Sequence, residues 1–265
     1  MQKINKTKKI NKIGYAVEKN LLNKNSLKQI KISIFHLLKK FLSKKHYLKN
    51  SLDEQLLYLR KNNKSKFGIL FDSLQTLAIN YEVLSNPKVL KKVAKLLNTI
   101  PSCLTLTDVA LRLDPPNDER NSLGWHQDSS YFRQNENGSN GIVLWTPVVY
   151  ITKNMGRLEF LKNSHTLGSL RIKKKDSRQG NKSSQREINS KKLNNFKNIL
   201  KYDLKLGDSL LMNMDMVHRS GKNYSKKFRI SLIGRYHNMI SKDFNSGLNI
   251  YKYTNKTINK EIHGQ

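Results

Sequence analysis

The sequence predicts a mainly β protein carried on N-terminal helices, its strands arranged as a sandwich or jelly roll. Two observations predict this. From Ser102 onward, short stretches alternate apolar and polar residues, and turn-rich pieces such as residues 135–141 separate them. Before Ser102 the apolar residues recur at helical spacing instead. Many short strands with irregular connections bury themselves most readily as two packed sheets, and 265 residues suffice for a sizeable core.

Residues 1–50 read as a basic, partly helical extension, with Lys3, Lys6, Lys8, Lys9 and Lys12 and with Glu18 as the only acid. Within it Leu27, Ile30, Ile34, Leu37, Leu38 and Phe41 fall on one helical face. Such a face either packs on the strand core or lies on an anionic membrane surface as a peripheral contact. Packing is the favoured reading, because core helices show the same pattern. Residues 51–100 read as a helical brace. Ser51-Leu52-Asp53-Glu54 has the capping-box form and opens a helix through about Arg60. A second helix is expected from Asp72 to Leu84, and a third begins with Asn86 as cap and Pro87 in the first turn.

The strand core is expected over residues 101–240. Thr105, Thr107, Val109, Leu111 and Leu113 alternate with Leu104, Leu106, Asp108, Ala110 and Arg112 in a strand that stops at Pro115-Pro116. Further strands are expected over Gly124 to Phe132, Gly141 to Ile151, Gly156 to Leu161, Leu204 to Met212 and Phe228 to His237, with a tight turn at Leu206-Gly207-Asp208. Residues 171–201 form a basic insertion, nearly all polar, that reads either as disordered surface or as a lid.

The net charge is +31, with lysine, asparagine and isoleucine in excess. A bias toward adenine- and thymine-rich codons is the favoured explanation for much of the lysine. It does not explain why acids number only 19, so an anionic partner stays open. Nucleic acid is disfavoured, because the basic stretches lack the interleaved aromatics of a stacking surface. The single cysteine, Cys103, fits a reducing compartment. No apolar run reaches membrane-spanning length, and no secretory h-region follows the basic N-terminus. A cytoplasmic location is the expectation.

The chemistry gathers around Trp125-His126-Gln127-Asp128. On an extended backbone His126 and Asp128 project to the same side and can hold neighbouring corners of one metal ion. With a distant histidine, for which His218 is the candidate, they make the two-histidine, one-carboxylate set that leaves one face of Fe(II) open. Eleven residues beyond His218 comes Arg229, and two further Ser231. The two share one strand face, a pairing suited to gripping a carboxylate.

The sequence resembles the phytanoyl-CoA dioxygenase family of Fe(II)- and 2-oxoglutarate-dependent oxygenases. The matching pieces are Trp125-His126-Gln127-Asp128 with Tyr131-Phe132, then Leu144-Trp145-Thr146, then Gly156-Arg157-Leu158-Glu159-Phe160 leading to Ser164-His165. His218-Arg219-Ser220-Gly221 and Phe228-Arg229-Ile230-Ser231 close the set, which runs from about Leu104 to Tyr236, half the chain. The resemblance implies a double-stranded β-helix (a cupin-like jelly roll), a family domain over residues 51–265, and His126, Asp128 and His218 as iron ligands. It further implies that Arg229 binds the far carboxylate of 2-oxoglutarate and that Gln127, Trp145 and Ser220 line the same pocket. With O2 as the third reactant, the implied reaction hydroxylates an unactivated C–H bond and releases succinate and CO2. A carboxylate at Asp128 argues for hydroxylation over halogenation. The implied substrate is a small molecule, and the positive charge favours an anionic one, such as an acyl-CoA, a nucleotide-sugar, a lipid or a glycan. The rival readings are a non-catalytic jelly-roll binding module and a basic nucleic-acid-binding protein.

Overall fold

Period-two alternation divides the core of this protein into two apolar layers on either side of one sheet. The computed structural model describes residues 10, 12–118, 123–132, 134–175, 185–188, 193 and 198–245. The main sheet is antiparallel, in the order β1 (Tyr15–Glu18), β8 (Ser209–Asn213), β3 (Gly141–Pro147), β10 (Arg229–Asn238), β2 (Leu104–Asp114). One face sends Leu111, Leu113, Ile142, Leu144, Leu211, Ile230 and Leu232 into a core shared with the helices. The other sends Val143, Trp145, Leu210, Met212 and Ile233 against Leu158 and Phe160. Those two belong to a second antiparallel sheet, in the order β7 (Ile199–Lys201), β4 (Leu158–Leu161), β9 (His218–Ser220). The two-sheet, jelly-roll core is the architecture expected from the strand pattern.

The N-terminal part of the chain is built into this core, and the boundary expected at residue 50 does not divide it. β1 pairs with β8 from Tyr15↔Met212 to Glu18↔Ser209, closing one edge of the main sheet. Helix α1 (Lys24–Leu38) buries Leu27, Ile30, Ile34 and Leu38 completely. The membrane-surface reading of this helix is therefore corrected: the apolar stripe it needs is spent on the core, and the lysines between are a solvated face. Ile34→Ala should cost about 2–5 kcal/mol by urea denaturation, as expected for a core site. A cost below roughly 0.5 kcal/mol would return the helix to the periphery.

After the short α2 (Lys44–Lys49), the brace follows the sequence closely at its caps and departs from it once. α3 (Leu52–Asn62) begins with both bonds of the capping box: Ser51 N donates to Glu54 Oε2 at 2.6 Å, and Glu54 N to Ser51 Oγ at 3.4 Å. The helix expected from Asp72 to Leu84 is two helices, α4 (Lys64–Gln75) and α5 (Ala78–Leu84). Its break is fixed by Gln75, whose side-chain amide donates to Leu111 O at 2.9 Å and accepts from Leu111 N at 3.0 Å, tying the end of α4 to β2. α6 (Pro87–Leu97) starts on the Asn86 cap as expected and ends at left-handed Asn98.

The strand expected over Gly124 to Phe132 is also corrected. Only His126 makes a β-bridge, to His218, and the chain turns into a 3-10 helix at Asp128–Ser130. In the basic insertion, the described residues form a hairpin of β5 (Ile172–Lys175) and β6 (Gln185–Ile188). Ile188 N donates to Trp125 O at 2.8 Å, and Ile188 is buried with Leu161, Leu193 and Val217. The remainder of that segment, residues 176–184, 189–192 and 194–197, lies outside the described residues. Among the described residues, no helix is long and apolar enough to cross a membrane.

Candidate active site

Three side chains converge on the inner face of the main sheet, where it meets β9. His126 and His218 are neighbours because their backbones pair, His126 N to His218 O at 2.9 Å and the reverse at 3.0 Å. Gln127 is extended, so Asp128 returns to the side that His126 occupies. Asp128 Oδ1 lies 3.7 Å from His126 Nε2 and 3.9 Å from His218 Nε2. The three are buried, and their ligand atoms lie within 4.8 Å of one another.

The donor set fits a divalent metal in its protonation as well as its spacing. Each imidazole uses Nδ1 on a backbone carbonyl, His126 on Gly124 O at 2.8 Å and His218 on Met216 O at 2.9 Å. A carbonyl can only accept, so Nδ1 carries the proton and the Nε2 lone pair faces the centre. Burial, and then the His218 imidazole, lower the His126 pKa to about 3, which keeps that ring neutral. Asp128 is the anionic member. Burial pushes its carboxyl up, but Arg235 and the two imidazoles outweigh that and bring it down to about 2.

Arg235 is a residue of the cavity wall whose contact with Asp128 the sequence did not reveal. Its Nε donates to Asp128 Oδ2 at 3.0 Å, and its Nη1 pairs with Asp108 across the β2–β10 ladder. One carboxylate oxygen of Asp128 is thereby held by the protein, and the other is left for a metal.

The cavity beside this centre has about 70 Å³ of interior space. One water needs roughly 10–15 Å³ on such a measure, so there is room for several waters. Its walls include His126, Asp128, His218, Trp145, Ser220, Arg112, Asp114, Arg229 and Arg235. Strand alternation explains the polar wall. Arg229, Ile233 and Arg235 share one face of β10, opposite Asp114, Ala110 and Asp108 of β2. Arg112, whose direction the sequence left open, points inward.

The structure thus brings together His126, Asp128, His218, Arg229, Trp145 and Ser220. It does not bring Gln127 or Ser231 to the cavity wall. Gln127 is fully buried; its amide donates to Gly168 O and Asp215 O and accepts from Leu170 N, which fixes the loop around the site. Ser231 is also fully buried. Ser164 fixes a loop as well, accepting from Val217 N at 2.8 Å. Arg229 is held firmly: Nη1 donates to Gly156 O and Gly221 O, and Nε and Nη2 to Asp114 Oδ2. Both glycines are required there. Gly156 has φ +73°, and a Cβ on it would come within 2.4 Å of Gly221 O.

No curated protein matches the sequence. Solved structures do match in fold. The non-heme monooxygenase ThoJ in its apo form superposes with a TM-score of 0.61 at 17% identity, covering 88% of this chain and 76% of that one. The epimerase SnoN, solved with Fe3+, alpha-ketoglutarate and nogalamycin RO, gives a TM-score of 0.61 at 14% identity, covering 92% and 86%. EvdO2 from Micromonospora carbonacea var. aurantiaca, complexed with 2-oxoglutarate, gives 0.57 at 12% identity, covering 93% and 96%. The profile of the phytanoyl-CoA dioxygenase (PhyH) family matches residues 10–231, from ahead of β1 to Ser231, and the chain belongs to that family.

Proposed function

We propose that this protein is an Fe(II)- and 2-oxoglutarate-dependent oxygenase that hydroxylates an unactivated C–H bond of a small, anionic organic substrate. The observation that carries this reading is the convergence of His126, Asp128 and His218 at one end of a cavity whose other wall holds Arg229. Iron held there would supply oxygen activation, coupled to conversion of 2-oxoglutarate to succinate and CO2. The chain's own residues would do the rest. His126, Asp128 and His218 would present three donors on one face. Arg229, anchored by Gly156 and Gly221, would orient the far carboxylate of 2-oxoglutarate, with Ser220 and Trp145 lining its path. Burial of the walls would exclude bulk water.

An anionic substrate is supported by the net charge of +31 and by a cation stacked on Tyr131, the ring next to His126. The Tyr131 ring stands edge-on to His126 at 6.3 Å, and the Arg186 guanidinium lies 4.9 Å above Tyr131. The single cysteine suits a reducing, cytoplasmic setting in which Fe(II) persists.

The test is O2-dependent formation of succinate from 2-oxoglutarate by the Fe(II)-loaded protein. Formation should exceed that of a His126→Ala control and need at least about tenfold more 2-oxoglutarate in Arg229→Gln, since a charge-assisted carboxylate grip is lost. Wild-type yield no greater than the His126→Ala control would sink the proposal.

A further inference from the structure

Asp114 already occupies the place on Arg229 that a ligand carboxylate would take. The two residues face each other across the β2–β10 ladder. Arg229 Nε and Nη2 donate to Asp114 Oδ2 at 3.1 and 3.0 Å, and Nη1 is spent on the carbonyls of Gly156 and Gly221. Of the five N–H donors of the guanidinium, a single one, on Nη2, remains without a partner among the described residues. The pair is buried, with side-chain exposures of 4% and 7%. An incoming carboxylate therefore cannot grip Arg229 in bidentate fashion while Asp114 holds it.

Asp114 has a second cation to turn to. Arg112 Nη2 donates to the other carboxylate oxygen, Oδ1, at 2.8 Å, and Arg112 Nε does so at 3.3 Å. Register explains the arrangement, because Arg112 and Asp114 are two apart on β2 and share its inward face. All three groups line the cavity that holds the metal-binding set. If Asp114 gave up Arg229 it would remain paired, which avoids the large penalty of an orphaned buried charge.

We propose that Asp114 is an intramolecular competitor for the carboxylate site of Arg229, displaced onto Arg112 when 2-oxoglutarate binds. The inference rests on the oxygenase reading above and adds to it a determinant of cosubstrate affinity. In the free protein the anchor is kept occupied and ordered by the chain itself. Binding then exchanges one carboxylate for another, so the net gain is smaller than an empty arginine would give. The affinity for 2-oxoglutarate is set by Asp114 as much as by Arg229.

The experiment is anaerobic calorimetric titration of 2-oxoglutarate into Fe(II)-loaded wild type, Asp114→Asn, Asp114→Ser and Asp114→Asn combined with Arg229→Gln. Both neutral variants should bind about tenfold more tightly than wild type, the scale of one charge-assisted bond. The gain should vanish in the Arg229→Gln background. Wild-type binding with no tightening in either folded variant overturns the proposal and leaves the oxygenase reading standing. A gain that persists without Arg229 overturns it too, since the effect would then come from charge alone. No binding by any of the proteins removes both the proposal and the reading beneath it. If neither neutral variant folds, Asp114 is a fixed structural partner that cannot yield, and the proposal fails.

Discussion

His218→Ala is expected to weaken binding of a divalent metal by more than about 100-fold and to abolish turnover of 2-oxoglutarate. Removing a group that merely supports a ligand costs roughly 10- to 100-fold, and in the proposed site His218 is itself one of the three donors. The fold should survive the change. His218 N and O still pair with His126, and its neighbour Val217 stays packed with Leu161 and Ile188. Isothermal titration with Mn(II) or Fe(II), read beside a thermal melt, separates the two effects. An unchanged metal affinity in folded protein would remove His218 from the site.

Arg235→Ala carries the second large effect, and it acts in two ways. Asp128 is 2% exposed, and Arg235 is the cation that holds its Oδ2. Loss of one partner of such a buried pair costs about 3–5 kcal/mol in the metal-free protein. The same loss frees the carboxylate to rotate, so metal affinity should fall by roughly 10- to 100-fold. Metal should therefore raise the melting temperature of Arg235→Ala by less than it raises that of wild type at the same metal concentration, because stabilisation by a ligand follows its affinity for the folded state. Equal metal-induced shifts, or an affinity unchanged from wild type, would show that Arg235 does not position Asp128.

The parts of this site that the sequence disclosed are those whose geometry is local and those, such as His218, that the order of the motifs supplied. His126 and Asp128 lie two residues apart on extended backbone, and Arg229 sits on a strand whose alternation is plain from Ile230 and Leu232. Distant pairings were hidden. That Asp114 faces Arg229, and Asp108 faces Arg235, depends on a register between strands more than a hundred residues apart, which no local spacing encodes. The polar set on β2, Asp108, Arg112 and Asp114, gave no sign of its direction, because both faces of that strand are covered. Gln127 misled for a related reason: its neighbours are the candidate ligands, but its own amide is consumed by Gly168, Leu170 and Asp215.

Among the helices, the capping signals at Ser51, Asn86 and Pro87 were sufficient, since a cap is made by residues a few positions apart. The start of α4 at Lys64 was masked by Gly68, an unfavourable residue in a helix interior that points into open space. The N-terminal fifty residues looked separable by charge alone. Their lysines are a surface property, whereas Tyr15 to Glu18 and the Leu27–Leu38 face are bound into the sheet and the helical core. Charge marks the outside of this protein and says little about where its domain begins.

The most direct measurement of the central claim is an anaerobic titration of the metal-free protein with Fe(II) and 2-oxoglutarate, followed by visible absorbance. A weak charge-transfer band should appear only when both are present, vanish in His126→Ala, and need more 2-oxoglutarate in Arg229→Gln. Folded wild-type protein that takes up Fe(II) and 2-oxoglutarate without any such band would contradict the assignment of this site.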